Sequence, residues 1–354
     1  MLGRIVEGVE QWDVIWTAWR ALLEAHPAFA FTQLGEWARA AWLVDPPETA
    51  RWFVLDDADG ALAVLHCTVR RRTVAGLPVR VLSNGSADGL VATRCRPDVL
   101  RRELLRAFAR SGERIDVLSF NRLRPHSAFH TLAAAWPGAM TVEGTYGGYA
   151  TISTKPSADE WFADSGKNLR ASLRKAGNRL ARLGPVEATT ADAPADVAAG
   201  FDDFVRIEAS GWKGQAGSGL GNRPVEREQL RTFFVDAAAA GRAQVHVLRV
   251  GDDVAAVDLS VVVGETLVIL KTAYDEEVAH AAPGSLLMAE VVRDSCDDPA
   301  ITEIDLVTNQ PWHARWHPTI HPTHRRSVLN RRSVVGLAAE AATRLRALTP
   351  GPGS

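Results

Sequence analysis

Apolar positions along the chain follow first a helical and then a strand period, and this order occurs in both halves. In residues 11–25 apolar side chains recur every three or four positions, which predicts an amphipathic helix; a second is expected at residues 31–42. Strands are expected next at residues 52–55, 62–69 and 79–82. The first two are joined by Asp59-Gly60, a hairpin signal. A helix and a strand follow at residues 97–110 and 115–118.

The second half repeats this layout about 190 residues later. Helices are expected at residues 167–183, 195–210, 226–240 and 283–295, and strands at residues 244–249, 254–263, 266–272 and 302–307. A meander of strands followed by a helix and another strand is typical of an α+β fold. We therefore expect two related domains, residues 1–150 and 151–345, joined by a crossover near Tyr146 to Ser157, and a disordered tail at 346–354.

Composition excludes several classes of protein. The chain is 46% hydrophobic and 23% charged with a net charge of −2, which gives no reason to expect a polyanion as its main partner. No apolar run reaches the roughly 18–20 residues that span a bilayer, and no signal-peptide core is present. Three widely separated cysteines cannot form a disulfide framework. We expect a cytoplasmic protein with free thiols and no membrane partner.

The start of the helix expected at residue 283 has the chemistry of an anion site. Pro283, Gly284, Ser285 and Leu286 open this helix directly after a pair of strands. Free N–H groups and the helix dipole favour a negative charge at such a start, and glycine allows a ligand to approach the backbone. An ordinary, well-capped helix start is the alternative, because proline and glycine are common there.

A wider set of residues resembles a known family. The set comprises Glu208, residues 211–214, the hairpin at 251–263, Ala273-Tyr274-Asp275, residues 283–287 and Asp305-Leu306. It resembles the acyl-CoA site of GNAT-fold acyltransferases, especially the CelD/BcsL-like subgroup related to the FemABX transferases. The resemblance implies tandem GNAT-like domains (acyl-CoA N-acyltransferase fold), each a mixed central sheet flanked by helices. The first would be degenerate and would shape the acceptor pocket, and the second would be catalytic.

The resemblance also implies a reaction and its ligands. An acyl group, with acetyl as the first expectation, would pass from coenzyme A to an amine of a small molecule or sugar. Acetyl-CoA or another acyl-CoA would be the co-substrate, bound by Tyr274, Pro283, Gly284, Ser285 and Leu286, and no metal is implied. Trp212, Lys213, Asp305 and Asn309 would contact the substrate. The chain departs from the family pattern in having Ala-Pro-Gly-Ser in place of the usual glycine loop.

Three residues are candidates for proton transfer. Glu208 could accept a proton from an incoming ammonium, and Asp258 lies in an apolar strand where an unpaired carboxylate is costly. His313 stands where the subgroup has a tyrosine, and imidazole exchanges protons near neutral pH. It is the first of four histidines spaced 4, 4 and 3 residues apart, but Pro318 and Pro322 interrupt any single helical face. We therefore expect no metal site there.

The expected helix at 167–183 carries six cations and no acidic residue. It is either a solvated face, a contact for coenzyme A phosphates or a contact for a tRNA acceptor arm. The last would make the protein an aminoacyl-tRNA-dependent, FemABX-like transferase; otherwise no nucleic acid is expected. A catalytically inactive, ligand-binding tandem protein is the third possibility. The acceptor, the acyl chain length and the oligomeric state are left open by the sequence.

Overall fold

A computed structural model describes residues 1–7, 11–44, 48–74, 76–134, 141–211 and 219–330, together with 333, 337, 338 and 341. The chain divides into two compact units: unit 1 comprises residues 1–147 and 322–354, and unit 2 comprises residues 148–321. The expected tail at 346–354 lies outside the described residues.

Six strands and four α-helices begin within the described part of the first 147 residues. They are β1 (Leu2–Val6), α1 (Trp12–Ala25), α2 (Gly35–Val44), β2 (Ala50–Asp57), β3 (Gly60–Val74), β4 (Leu77–Val91), α3 (Pro97–Arg110), β5 (Val117–Leu123), α4 (Ala128–Ala134) and β6 (Thr141–Ser153). Helix α1 buries the apolar face that its period predicts, through Ile15, Trp19 and Leu22. Gly60 adopts φ 109° at the turn between β2 and β3, a conformation that favours glycine.

The remaining elements repeat this order. They are α5 (Ala158–Asp164), α6 (Lys167–Leu180), β7 (Val186–Ala191), α7 (Pro194–Ser210), α8 (Pro224–Ala239), β8 (Ala243–Val250), β9 (Asp253–Val263), β10 (Thr266–Tyr274), α9 (Pro283–Asp297), β11 (Glu303–Asp305) and β12 (Thr319–Leu329). Short 3-10 turns precede α9 at Glu276–Ala281 and β12 at Pro311–Trp316.

Each unit contains a mixed sheet with one parallel pair. In unit 1 the strand order is β1-β2-β3-β4-β5-β12, and β4 and β5 are parallel. In unit 2 the order is β7-β8-β9-β10-β11-β6, and β10 and β11 are parallel. Both parallel pairs are joined by a helix, as a parallel connection requires. The expected α+β repeat with a mixed sheet flanked by helices is confirmed.

Helices cover both faces of the unit 2 sheet. On one face, Gly200 of α7 lies so close to Val245 of β8 that a Cβ built on the glycine would be 2.3 Å from the valine Cγ2. On the other face, Leu248 and Ala256 form a cluster with Leu180 of α6, and with Ala281 and Leu287 at the start of α9. Alternation along β8 and β9 therefore sends odd-numbered side chains to α7 and even-numbered ones to α6 and α9.

Several expectations at element ends need correction. The expected crossover at Tyr146 to Ser157 includes strand β6, which pairs antiparallel with β11 at Ile152 and Ile304. Strand β12 pairs with β5 from His324 to Leu329 and so falls in unit 1, although these residues were expected within the second domain. Leu183 lies beyond α6 and is 54% exposed, so it is not part of the buried helical face. Strand β11 ends at Asp305, two residues earlier than expected.

Two further structural observations bear on the class of protein. In the described part of the chain, no helix is both long and apolar enough to cross a membrane. Cys67, Cys95 and Cys296 are all buried free thiols. Burial raises the pKa of the Cys67 thiol, which makes it a poor nucleophile.

Candidate functional site

Strands β10 and β11 diverge shortly after they begin, which leaves a gap in the unit 2 sheet. Their parallel pairing covers only Thr266–Val268 and Glu303–Asp305. The chain then turns away, and Leu306 donates its N–H to the carbonyl of Ala150 in β6 at 2.9 Å. Beyond Val268, β10 therefore has no strand partner on this side among the described residues. We call this opening the β10–β11 gap.

Asp305 holds the turn that creates the gap. Its carboxylate accepts the N–H of Val307 at 2.7 Å, and Asp305 is 4% exposed. Val307 adopts φ 61°, a conformation that is costly for a β-branched residue. The predicted substrate contact Asp305 is thus a buried residue with a clear role in shaping the sheet.

The gap is lined by backbone donors of β10. Asp275 donates its N–H to Ala255 of β9 at 2.9 Å, so alternate residues of β10 point their N–H groups toward β9. The N–H groups of Thr272 and Tyr274 then point in the opposite direction, into the β10–β11 gap. Fixed backbone donors of this kind can stabilise an oxyanion that develops on a carbonyl.

The start of α9 lies beside the end of β10. Ala282 precedes the helix in a left-handed conformation with φ 56°, and Pro283 occupies its first turn. No side chain caps this end, and the N–H of Gly284 has no acceptor among the described residues. A Cβ on Gly284 would lie 3.4 Å from Cδ1 of Tyr274, so the tyrosine ring covers this glycine. Of the predicted cofactor residues, the structure brings Tyr274 and Gly284 together.

The other members of that predicted set have different environments. Pro283 is buried. Leu286 is partly buried and packs on the Leu248–Leu287 cluster, so it contributes to the core. Ser285 accepts a hydrogen bond at Oγ from Nη1 of Arg315 at 2.7 Å. Arg315 comes from the turn Pro311–Trp316, and no pattern in the sequence connects it to residue 285.

A groove of ≈300 Å³ lies beside this helix start, and we call it the donor groove. It is lined by residues Asn168, Ala171, Ser172, Lys175, Ala176, Arg179 and Ala282. Two of the five cations of α6 therefore face the start of α9. Arg179 also donates from Nη1 to the carbonyl of His280 at 2.8 Å, which fixes the turn that leads into the helix. Positive side chains and a helix N-terminus both favour an anion here.

Asp258 lies on the face of β9 that α9 covers, close to the gap. It is 3% exposed and pairs across the sheet with Thr272 of β10 and His246 of β8. Burial raises the pKa of Asp258 to about 7, although a hydrogen bond from the Thr272 side chain opposes the rise. Its Oδ1 has no hydrogen-bond partner among the described residues. This carboxyl therefore holds its proton to a much higher pH than an ordinary aspartate does.

His246 is a buried neighbour of Asp258 that the sequence did not single out. Its Nδ1 lies 3.0 Å from Oγ1 of Thr190, and its Nε2 lies 2.9 Å from Oγ of Ser260. Thr190 donates to Oδ2 of Asp294 at 3.0 Å, so it must accept from the histidine Nδ1–H. Burial lowers the pKa of His246 to about 4. The network therefore directs the Nδ1 proton to Thr190, and burial favours the neutral imidazole.

Glu208 lies on the other face of the same sheet. Its helix, α7, packs on the face that carries Val245, whereas Asp258 faces α9. Glu208 is 8% exposed, and Oε2 accepts the N–H of Leu220 at 2.7 Å. The two predicted bases therefore do not form a pair, and each would need its own path to an amine. The predicted substrate residues Trp212 and Lys213 lie outside the described residues.

His313 is buried in the turn before β12, where backbone groups contact its ring. Its Nδ1 accepts the N–H of Gln310 at 3.2 Å, and the ring also hydrogen-bonds the backbone of Thr308. Burial lowers the pKa of His313, and the Thr308 contact opposes this. Asn309 next to this turn is exposed. In the described ranges, no three His, Cys, Asp or Glu side chains gather closely enough to hold a metal ion.

The sequence of the region that contains these features also matches a protein-family model. A model described as an acetyltransferase (GNAT) domain matches residues 167–345, which are 179 of the 354 residues. The chain belongs to the GNAT acetyltransferase family. No curated protein matches it in sequence. The matched region contains the donor groove, the β10–β11 gap and all three predicted proton-transfer residues.

Solved structures with the same fold have low sequence identity to this GNAT protein. The C-terminal domain of a putative lysylphosphatidylglycerol synthetase from Agrobacterium fabrum is 14% identical, with a TM-score of 0.57 over 96% of this chain and 98% of that one. FemX is 11% identical, with a TM-score of 0.58 over 95% and 100%. L-PGS from Bacillus licheniformis is 12% identical, with a TM-score of 0.54 over 94% and 97%. The predicted GNAT fold is confirmed, and FemX has the same fold.

Proposed function

We propose that this GNAT acyltransferase uses acyl-CoA, with acetyl-CoA as the simplest case, and transfers the acyl group to an amine of a small molecule or sugar. The observation that carries the proposal is the donor groove, where cations of α6 face an uncapped helix start. We place the reaction in the cytoplasm as part of the same proposal.

The residues around the groove fit the diphosphate of coenzyme A. Lys175 and Arg179 supply positive charge, and the N–H of Gly284 supplies a donor without a protein acceptor in the described residues. Arg315 adds a third cation at Ser285. A diphosphate would satisfy these groups together, because charge-assisted hydrogen bonds are stronger than neutral ones.

The β10–β11 gap fits the thioester end of the same donor. The amine nitrogen would form a bond to the thioester carbonyl carbon, the carbon–sulfur bond would break, and the sulfur would leave as a thiolate. Fixed N–H groups of Thr272 and Tyr274 would stabilise the negative oxygen that forms between these events. Holding both reactants in place would contribute much of the remaining acceleration.

Proton transfer is assigned to the predicted residues as part of the proposal. Either Glu208 or Asp258 would remove the amine proton, and a pKa of about 7 suits Asp258 to that task near neutral pH. His313 would return a proton to the thiolate. Its Nδ1 already accepts the N–H of Gln310, so this role would fall to Nε2.

An aminoacyl-tRNA donor is the second candidate. The five cations of α6 and Arg182 just beyond it are all exposed, so this segment presents a long positive surface that includes the two residues at the groove. A long basic surface is what a nucleic-acid backbone requires. Binding of tRNA would fall steeply with salt, whereas binding of coenzyme A would depend on the groove residues themselves.

Calorimetry with coenzyme A tests the proposal. We expect Lys175→Ala to weaken binding about tenfold, because one charge-assisted contact to a phosphate is lost. Arg174→Ala is the matched control, since it removes a neighbouring exposed cation of α6 that does not line the groove. Equal weakening in both variants would indicate a general charge effect and would remove the support for the groove.

Turnover separates the enzyme from an inactive binding protein. Acyl transfer from acetyl-CoA to a panel of amines is expected in the wild type, with release of free thiol as the readout. Coenzyme A binding without any thiol release would support the inactive alternative. If neither acetyl-CoA nor coenzyme A stabilises the protein, while aminoacyl-tRNA does, the second candidate replaces the first.

A further inference from the structure

Unit 1 carries a long strand ribbon that has no equivalent in unit 2. Strands β3 and β4 have 15 residues each, whereas the corresponding β9 and β10 have 11 and 9. Strand β3 pairs with β2 only up to Thr68. From Arg70 onward, its edge therefore has no strand partner on that side among the described residues. The extra length carries the run Arg70-Arg71-Arg72.

A cavity of ≈560 Å³ lies beside this ribbon. Its charged lining consists of Arg70, Arg71, Arg72, Arg80, Glu48 and Glu113. Glu113 is engaged by Arg51, which donates to its two oxygens at 3.1 Å and 2.8 Å. Four arginines therefore line the cavity: Arg71 and Arg80 share one face of the ribbon, and Arg70 and Arg72 lie on the other. Glu48 is the lining carboxylate that has no such partner among the described residues.

When no anion is bound, repulsion between neighbouring arginines destabilises this part of the fold. Arg71 and Arg80 are direct cross-strand partners, and like charges at that position repel each other. In the described part of the chain, neither forms an ion pair with a carboxylate. The backbone of Arg80 is fixed by Asp116, whose Oδ2 accepts the Arg80 N–H at 2.8 Å. The strand pairing therefore keeps the side chains of Arg71 and Arg80 next to each other on one face.

We propose that this cavity binds a small molecule that carries a diphosphate or several phosphate groups. Its size lies in the range of roughly 300–1,000 Å³ that is usual for small-molecule sites. Guanidinium groups match phosphate oxygens in a bidentate manner, and several of them are needed for a multiply charged anion. The site lies wholly within unit 1 and does not depend on the proposed donor groove.

The probe is inorganic pyrophosphate, measured by calorimetry at constant ionic strength, with ADP in a parallel titration. The double variant Arg71→Ala/Arg80→Ala is expected to weaken pyrophosphate binding about tenfold or more, since two charge-assisted contacts are lost. Glu48→Gln is expected to tighten it severalfold by removing a repulsive carboxylate. Arg20→Ala, an exposed arginine of α1 outside the cavity, is the matched control and should bind as the wild type does.

The results separate this site from the donor groove. Lys175→Ala should leave one pyrophosphate site intact; loss of all binding in that variant would place the anion in the groove and overturn the proposal. Equal weakening in Arg20→Ala would also overturn it. If the double variant fails to fold, the single variants Arg71→Lys and Glu48→Gln test the proposal instead. Arg71→Lys should weaken pyrophosphate binding and Glu48→Gln should tighten it. Tighter binding of ADP than of pyrophosphate identifies a nucleotide, and equal binding identifies the phosphates alone as the ligand group.

Discussion

The buried pair Asp258 and His246 predicts an unusual dependence of stability on pH. These residues are direct cross-strand partners in β8 and β9, yet burial shifts their pKa values in opposite directions. Each shift changes the free energy of unfolding over almost the same pH range. The perturbation that separates them is Asp258→Asn, which keeps the shape of the side chain and removes its titration.

For Asp258 the folded state binds its proton more tightly than the unfolded state does. Its pKa rises from 3.8 to about 7, so between these values the unfolded chain releases the proton while the folded chain keeps it. The contribution of Asp258 to the free energy of unfolding is therefore fully present below pH 3.8 and is lost as the pH rises to about 7. At 1.36 kcal/mol for each pKa unit, the loss is about 4 kcal/mol.

For His246 the sign is reversed. Its pKa falls from 6.5 to about 4, so the unfolded chain binds a proton that the folded chain excludes. This group therefore destabilises the fold as the pH falls from 6.5 to about 4, by about 3 kcal/mol. In the wild type the two contributions nearly cancel.

Urea unfolding between pH 4 and pH 8 measures both effects. The free energy of unfolding of the wild type, relative to that of Asp258→Asn, should fall by about 4 kcal/mol as the pH increases across this range. The free energy of unfolding of the wild type, relative to that of His246→Gln, should rise by about 3 kcal/mol as the pH increases from about 4 to 6.5. Slopes are compared rather than single values, because the new amides have their own cost of burial.

Parallel pH profiles for the wild type and Asp258→Asn would refute the reasoning. They would mean that Asp258 is ionised in the folded protein at all these pH values. The same result would remove Asp258 from the candidate general bases with a pKa near neutrality.

Three further predictions concern single residues. Gly200→Ala should destabilise the fold by about 1–3 kcal/mol by thermal or urea unfolding, because the new methyl would overlap Val245; a gain in stability, as helix propensity alone favours, would contradict the packing. Gly284→Ala should leave the unfolding midpoint nearly unchanged, since its Cβ makes an ordinary contact with Tyr274, but should weaken coenzyme A binding in calorimetry; unchanged binding would argue against backbone recognition at this helix start. Glu208→Gln keeps an acceptor oxygen, so it should fold normally and lower turnover at least about 100-fold if this residue is the base; full turnover would exclude that role.

Elements with a strong local period were predictable, and those that depend on distant pairing were not. Helices α3 and α7 begin and end within a residue of the prediction, because their apolar faces and terminal prolines are local signals. Strands β1, β6, β7 and β12 were missed. β7 is largely exposed and lacks an apolar run, and β12 contains Pro322 and four charged or histidine side chains between residues 321 and 326.

The candidate site also combines features that local sequence predicts with features that depend on distant residues. The helix start at Pro283–Gly284 and the basic character of α6 were visible in the sequence, as was the buried carboxylate of Asp258. Arg315 and His246 were not, because their partners Ser285 and Thr190 lie 30 and 56 residues away in the chain.

By itself, the sequence determined the repeat of elements, the α+β class and the chemistry available at the start of α9, since these follow from the spacing of neighbouring residues. Only the tertiary structure decided which strands complete each sheet, which face each carboxylate occupies and which cations meet at the groove. These depend on contacts between residues far apart in the chain, and a strand or turn of low apolar content gains its stability from such contacts alone.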